Sequence, residues 1–191
     1  MGFLINHVDE WAFIHIPKTG GTSLTNILNK INNTELLTVH DSIRILDVQN
    51  YFIFTIIRNP FTRIVSAYTH KVRKNEFNYD FQTFLKKYNE NHLDMLPQSY
   101  YIHEGASENK NVSYIIRYEN YNEDIKKLLK KLNYTSDIPH LNRNPIYEKH
   151  PLLNQEQYYS SFYTEEWMIE LVKERYKNDF KIFNYGMDLP R

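Results

Sequence analysis

Apolar positions in this chain follow two spacings that alternate along its length. Trp11-Ala12-Phe13-Ile14-His15-Ile16 is a short, mostly apolar run halted by Pro17 and the Gly20-Gly21 pair, which predicts a strand. From Thr22 the spacing changes. Leu24, Ile27, Leu28 and Ile31 stand at i, i+3, i+4 and i+7, one stripe of a helix. Glu35 to Val39 predicts a second strand, and Asp41 or Ser42 caps a short helix with Ile43 and Leu46. Tyr51 to Ile57 is the most apolar run and reads as a strand buried on both faces, as in parallel sheets. Pro60 suits a helix first turn, and Phe61, Ile64, Val65, Tyr68 and Val72 line one face after it. A helix capped by Asp80, a strand over Val112 to Ile116, a helix with Ile125, Leu128, Leu129 and Leu132, and a last helix from Thr164 through Trp167, Leu171, Val172 and Tyr176 complete the pattern. Residues 90–112 and 133–162 show no convincing period. Strands alternating with helices predict an α/β chain with a parallel sheet and right-handed crossovers.

Composition narrows the classes. At 191 residues the chain fits one domain, 1–191, with a core that needs no disulfide or metal staple. The absence of cysteine removes thiol nucleophiles, Cys-ligated zinc and iron–sulfur clusters together. Lys+Arg and Asp+Glu both number 23, so a non-specific nucleic-acid partner is not expected, while a local basic pocket is compatible with the balance. No apolar run approaches the length of a membrane span, and Met1 to Trp11 lacks the form of a secretory signal. These features point to a cytoplasmic chain, with a trimmed lumenal catalytic domain as the alternative. No metal is expected, because His, Asp and Glu do not cluster at ligand spacings.

Two stretches carry candidate chemistry. The first is Ile16-Pro17-Lys18-Thr19-Gly20-Gly21-Thr22-Ser23, between a predicted strand and a helix N-terminus, where free N–H groups and the helix dipole favour an anion. The glycines permit close approach, Thr19, Thr22 and Ser23 offer hydroxyls, and Lys18 adds a point charge. The Walker A pattern is not met, since the lysine precedes the glycines; this argues against an ordinary ATP or GTP hydrolase. The second is Arg58 at the end of the buried strand, the edge where ligands of open α/β sheets bind, with Ser66 about two turns into the next helix. An ordinary βα turn, and an Arg58 paired with a carboxylate, are the bland alternatives. Two anion sites at the ends of adjacent strands suit a ligand with two separated anionic groups.

Ile16-Pro17-Lys18-Thr19-Gly20-Gly21-Thr22-Ser23 resembles the 5′-phosphosulfate loop of the heparan- and chondroitin-type carbohydrate sulfotransferases. Arg58-Asn59-Pro60-Phe61-Thr62-Arg63-Ile64-Val65-Ser66-Ala67-Tyr68 resembles their 3′-phosphate motif. Val39-His40-Asp41, Pro97-Gln98-Ser99-Tyr100, Arg117-Tyr118-Glu119 and Pro139-His140-Leu141-Asn142-Arg143 fall where related bacterial proteins have similar strings, so the resemblance runs from about residue 11 to 186. It implies a P-loop-like three-layer fold with a central, mainly parallel sheet flanked by helices. It also implies 3′-phosphoadenosine 5′-phosphosulfate (PAPS) as co-substrate, PAP as product, and a carbohydrate or other hydroxyl acceptor. On that resemblance Lys18 neutralises charge on the leaving group, the N–H groups of Thr19, Gly20, Gly21, Thr22 and Ser23 hold the 5′ end, and Arg58 and Ser66 hold the 3′-phosphate. Asn142 and Arg143 are further candidate PAPS contacts.

An alcohol acceptor needs a base in the transition state. His40, following the second strand, is the candidate, with His15 weaker because it lies within the first. Arg63, His70 and Lys74 share a helix face at i, i+7 and i+11, expected to be a solvated face or else a wall for an anionic acceptor; His92 is a further acceptor candidate. The competing functions are a small P-loop-like nucleotide kinase and a catalytically inactive nucleotide-binding module.

Overall fold

The computed structural model describes residues 3–37, 50–88, 92–102, 112–134 and 155–190. The chain divides into two compact units: residues 1–58 with 98–142, and residues 59–97 with 143–191. The architecture is mixed α/β.

The first unit holds a five-stranded sheet. Its strands are β1 (Phe3–Asn6), β2 (Trp11–Ile14), β3 (Thr34–Leu37), β4 (Phe52–Ile57) and β5 (Tyr114–Arg117), in the order β3-β1-β2-β4-β5. β2, β4 and β5 pair in parallel, Phe13 opposite Phe54 and Thr55 opposite Ile115. β1 is antiparallel to both β2 and β3, so two of the four pairings are antiparallel although four strands point the same way.

That antiparallel strand is the main departure from the expected mainly parallel sheet. Phe3-Leu4-Ile5 is a short apolar run, yet all four residues of β1 are buried. The turn that returns it to β2 is built on Asn6, whose Oδ1 accepts the N–H groups of Val8 and Asp9 at 3.0 and 2.9 Å. Its Nδ2 donates to Asp9 and to the carbonyl of Asn32.

Helices α1 (Gly21–Leu28) and α5 (Tyr121–Lys131) bury Leu24, Ile27, Leu28, Ile125, Leu128 and Leu129 in one cluster with Trp11, Phe13, Phe54, Ile56 and Ile116 of the strands. Every one of these side chains is under 5% exposed, and each contributes ~1.5–3 kcal/mol by leaving water. Short α4 (Gln98–Ile102) also belongs to this unit.

The second unit is helical. α2 (Pro60–Arg73) begins with Pro60 at its first turn, and the Asn59 side chain accepts from the Phe61 N–H at 2.9 Å. α3 (Phe81–Lys87) is capped by Asp80, whose Oδ1 accepts from Thr83 N–H at 2.8 Å. α6 (Gln155–Ser160), α7 (Glu166–Arg175) and α8 (Lys177–Ile182) follow. The core is strongly aromatic: Phe61, Phe77, Phe81, Phe84, Tyr163, Tyr176 and Phe180 are buried together. The predicted last helix starts at Glu166 rather than Thr164 and breaks at Tyr176. Its buried residues are Met168 and Val172, with Trp167 36% exposed, so the predicted stripe is displaced by one position at its start.

Candidate active site

The turn after β2 folds as its residues dictate. Pro17 ends the run, and the Thr19 hydroxyl donates to the Ile16 carbonyl at 2.9 Å, closing a tight loop. Lys18 has φ +66°, a left-handed value unusual for a side-chain-bearing residue, and Gly20 has φ +87°. Gly20 is the N-cap of α1 and no acidic residue stands in the first helical turn, so that turn supplies no carboxylate of its own to the dipole. Thr19 and Ser23 are buried, Thr22 is exposed, and Lys18 is half-buried. The Thr19 hydroxyl therefore belongs to the loop's own frame, in contrast to its expected role as a free donor; its N–H group remains a candidate contact.

Both glycines are close-packed. A Cβ on Gly21 would lie 2.3 Å from His15 Cδ2, and one on Gly20 would lie 3.0 Å from the Tyr118 ring. His15 also contacts Thr25 Oγ1 through Nδ1 at 3.4 Å and stacks on Phe13. Burial first, then nearby positive charge including Lys18, drives its pKa down to about 4, so the ring is neutral at pH 7. Tyr121 donates its hydroxyl to the Gly20 carbonyl at 3.3 Å, and burial raises its pKa to about 12, keeping the donor protonated.

Arg58, immediately after β4, meets this turn. Its Nη1 donates to the Lys18 carbonyl at 3.3 Å, and its Cζ lies 3.9 Å from the centroid of the Tyr118 ring. β2 and β4 are adjacent parallel strands, so the turn that follows one and the arginine that follows the other emerge at the same sheet edge. The two sequence-predicted anion-binding stretches are thus brought together at Lys18 and Arg58.

The model of the sulfotransferase family matches residues 1–186. The chain belongs to the sulfotransferase family. That membership supports sulfuryl transfer as the general chemistry, and the family's members use PAPS as donor. Comparison with curated proteins and with solved structures gives no match.

The other expected residues of this sulfotransferase-family chain are placed unevenly. Ser66 lies two turns into α2, half-buried, in the second unit. Arg63 is corrected: it does not share an open face with His70 and Lys74. It is 2% exposed, and its guanidinium donates to the carbonyls of Leu96 at 2.9 Å and Asp94 at 3.3 Å. Its place in the core-facing half of the amphipathic helix outweighs its charge, and backbone carbonyls compensate the burial. His70 is half-buried, with Nδ1 3.0 Å from Arg73 Nη2; Lys74 is exposed. His92 is exposed and packs its ring 4.6 Å from that of Tyr88. His40, Asp41, Asn142 and Arg143 lie outside the described residues. Among the described residues no helix is long and apolar enough to cross a membrane, and no three His, Asp or Glu side chains group as metal ligands.

Three residues that sequence reasoning gave no role stand at the site: Gln98, Tyr118 and Tyr121. Gln98 and Tyr118 sit in short strings that enter the sequence resemblance, but only the fold reveals that both touch Arg58.

Proposed function

We propose that this chain transfers the sulfuryl group of PAPS to a hydroxyl of a carbohydrate acceptor. One observation carries the reading: the Arg58 guanidinium donates to the Lys18 carbonyl, so residues of two separate candidate anion-binding stretches meet at one sheet edge. A nucleotide with anionic groups at both its 3′ and 5′ ends fits that arrangement, whereas a simple mononucleotide needs only the glycine turn. The donor set agrees. The turn offers N–H groups at a helix start whose first turn carries no acidic residue, and glycines at two positions where a Cβ would press on the site's own rings.

Bound PAPS supplies the sulfuryl group as an activated sulfate. The chain's residues then position and neutralise. The N–H groups of Thr19 to Ser23 hold the 5′ end, and Arg58 and Ser66 hold the 3′-phosphate. As the acceptor oxygen bonds to sulfur, the bond from sulfur to the bridging oxygen breaks, and the electron pair stays on the 5′-phosphate of departing PAP. Lys18 stabilises that charge. His40 takes the proton of the acceptor hydroxyl, a task suited to a group with an ordinary pKa of about 6.5. Asn142 and Arg143 are further nucleotide contacts. His70, Lys74 and His92 are candidate contacts for an anionic glycan, from which Arg63 is removed.

Incubation with radiolabelled PAPS and a panel of glycans tests the reading. Label should move to a glycan, and His40→Ala and Lys18→Ala should each lower turnover about a hundredfold or more. Tight binding of PAP without any transfer would point to an inactive module, and a preference for ATP with magnesium would point to a kinase.

A further inference from the structure

Gln98 is the first residue of α4 and is fully buried, an unusual setting for a primary amide. Both ends of that amide are engaged by one residue. Oε1 accepts from the Arg58 N–H at 2.8 Å, and Nε2 donates to the Arg58 carbonyl at 2.8 Å. The partners are 40 positions apart in sequence. In extended backbone the N–H and C=O of one residue point to the same side, and a paired strand normally satisfies them together. Arg58 lies just beyond the last residue of β4, Ile57, whose partner in β5 is Arg117. The Gln98 side chain continues the pairing where the ladder stops, and so fixes both peptide planes flanking the arginine.

What it fixes matters because of what Arg58 does next. The direction in which its side chain leaves the backbone is set by those two peptide planes. From there the guanidinium reaches the Tyr118 ring face and the Lys18 carbonyl. We propose that Gln98 is a positioning residue for the nucleotide's 3′-phosphate, acting through the backbone of Arg58. This rests on the reading of Arg58 given under Proposed function. Gln98 itself is assigned no contact with the nucleotide. The clamp imposes a rigid origin on a long side chain that otherwise carries considerable rotamer freedom, which sharpens recognition of one phosphate over its absence.

The test compares adenosine 3′,5′-bisphosphate (PAP) with AMP, which lacks the 3′-phosphate, by titration calorimetry on the full chain. The wild-type protein should bind PAP about tenfold or more tightly than AMP. Gln98→Met, close in volume and unable to hydrogen-bond, should lower that PAP-to-AMP ratio about tenfold. A purely structural role would weaken both ligands by a common factor and leave the ratio unchanged. Gln98→Glu keeps the acceptor for the Arg58 N–H and loses the donor when ionised; its ratio should be intermediate, and it decides the matter if Gln98→Met does not fold. A ratio within about twofold of wild type in either folded variant overturns the proposal while leaving the reading of Arg58 intact. Absence of any PAP preference in the wild-type protein overturns both.

Discussion

Gly21 and His15 compete for the same volume, and the pair shows how narrowly the glycine turn is specified. With a Cβ position 2.3 Å from His15 Cδ2 and 2.5 Å from Nε2, Gly21→Ala forces the ring or the helix start to move. It should cost about 1–3 kcal/mol, a fall in Tm of roughly 2–12 °C, measurable by calorimetry. His15 itself gives a pH signature. Its pKa is about 4 in the folded chain against 6.5 when unfolded, chiefly through burial. Above pH 6.5 the ring is neutral in both states and its contribution is complete. As pH falls towards 4 the unfolded chain takes up the proton first, so stability is lost across that window, by about 3 kcal/mol in total. Urea titrations at pH 7 and pH 5 should show the wild-type protein losing about 2 kcal/mol more than His15→Gln. Equal losses would mean the ring is not held neutral by its surroundings.

Elements were legible where periodicity and local capping act together. Asn59, Pro60 and the stripe from Phe61 give α2 both its start and its buried face, and the Asp80 cap does the same for α3. The turn from Ile16 to Ser23 was legible for a related reason: proline, glycines, lysine and helix start are all neighbours in sequence. β1 was not, because a three-residue apolar run carries no period, and its place is decided by pairing with β2 and β3. Asn6-His7-Val8-Asp9-Glu10 between two apolar runs was the available hairpin signal. The Gln98 clamp was illegible because its meaning depends on a partner remote in the chain. The burial of Arg63 was hidden because a charged residue is ordinarily read as exposed. Asn6 tests the hairpin directly. Asn6→Ala removes the acceptor for two N–H groups and should cost about 2–3 kcal/mol, whereas Asn6→Asp keeps that acceptor but loses the donor and sets a buried carboxylate against that of Asp9, so at pH 7 it should cost at least as much. Chemical denaturation of both variants settles the order.

At the scale of the whole molecule, each unit carries its own apolar cluster, and the contact between Arg58 and the Lys18 carbonyl, the proposed nucleotide site, belongs to the sheet-containing one. A ligand bound there stabilises by mass action: PAP at a hundred times its Kd should add about 2.7 kcal/mol, visible as a rise of several degrees in Tm. AMP at the same concentration should give a smaller rise, and Arg58→Ala should erase the difference. The left-handed backbone of Lys18 has a separate bearing on how this protein would respond to selection. An L-residue held at φ +66° costs about 1–2 kcal/mol that glycine does not incur. Lys18→Gly should consequently be more thermostable than Lys18→Ala by about 1 kcal/mol, with both slowed alike in transfer if Lys18 has the proposed role. A directed-evolution campaign rewarding heat resistance alone would drift towards glycine at this position, hardening the scaffold while discarding the ammonium group.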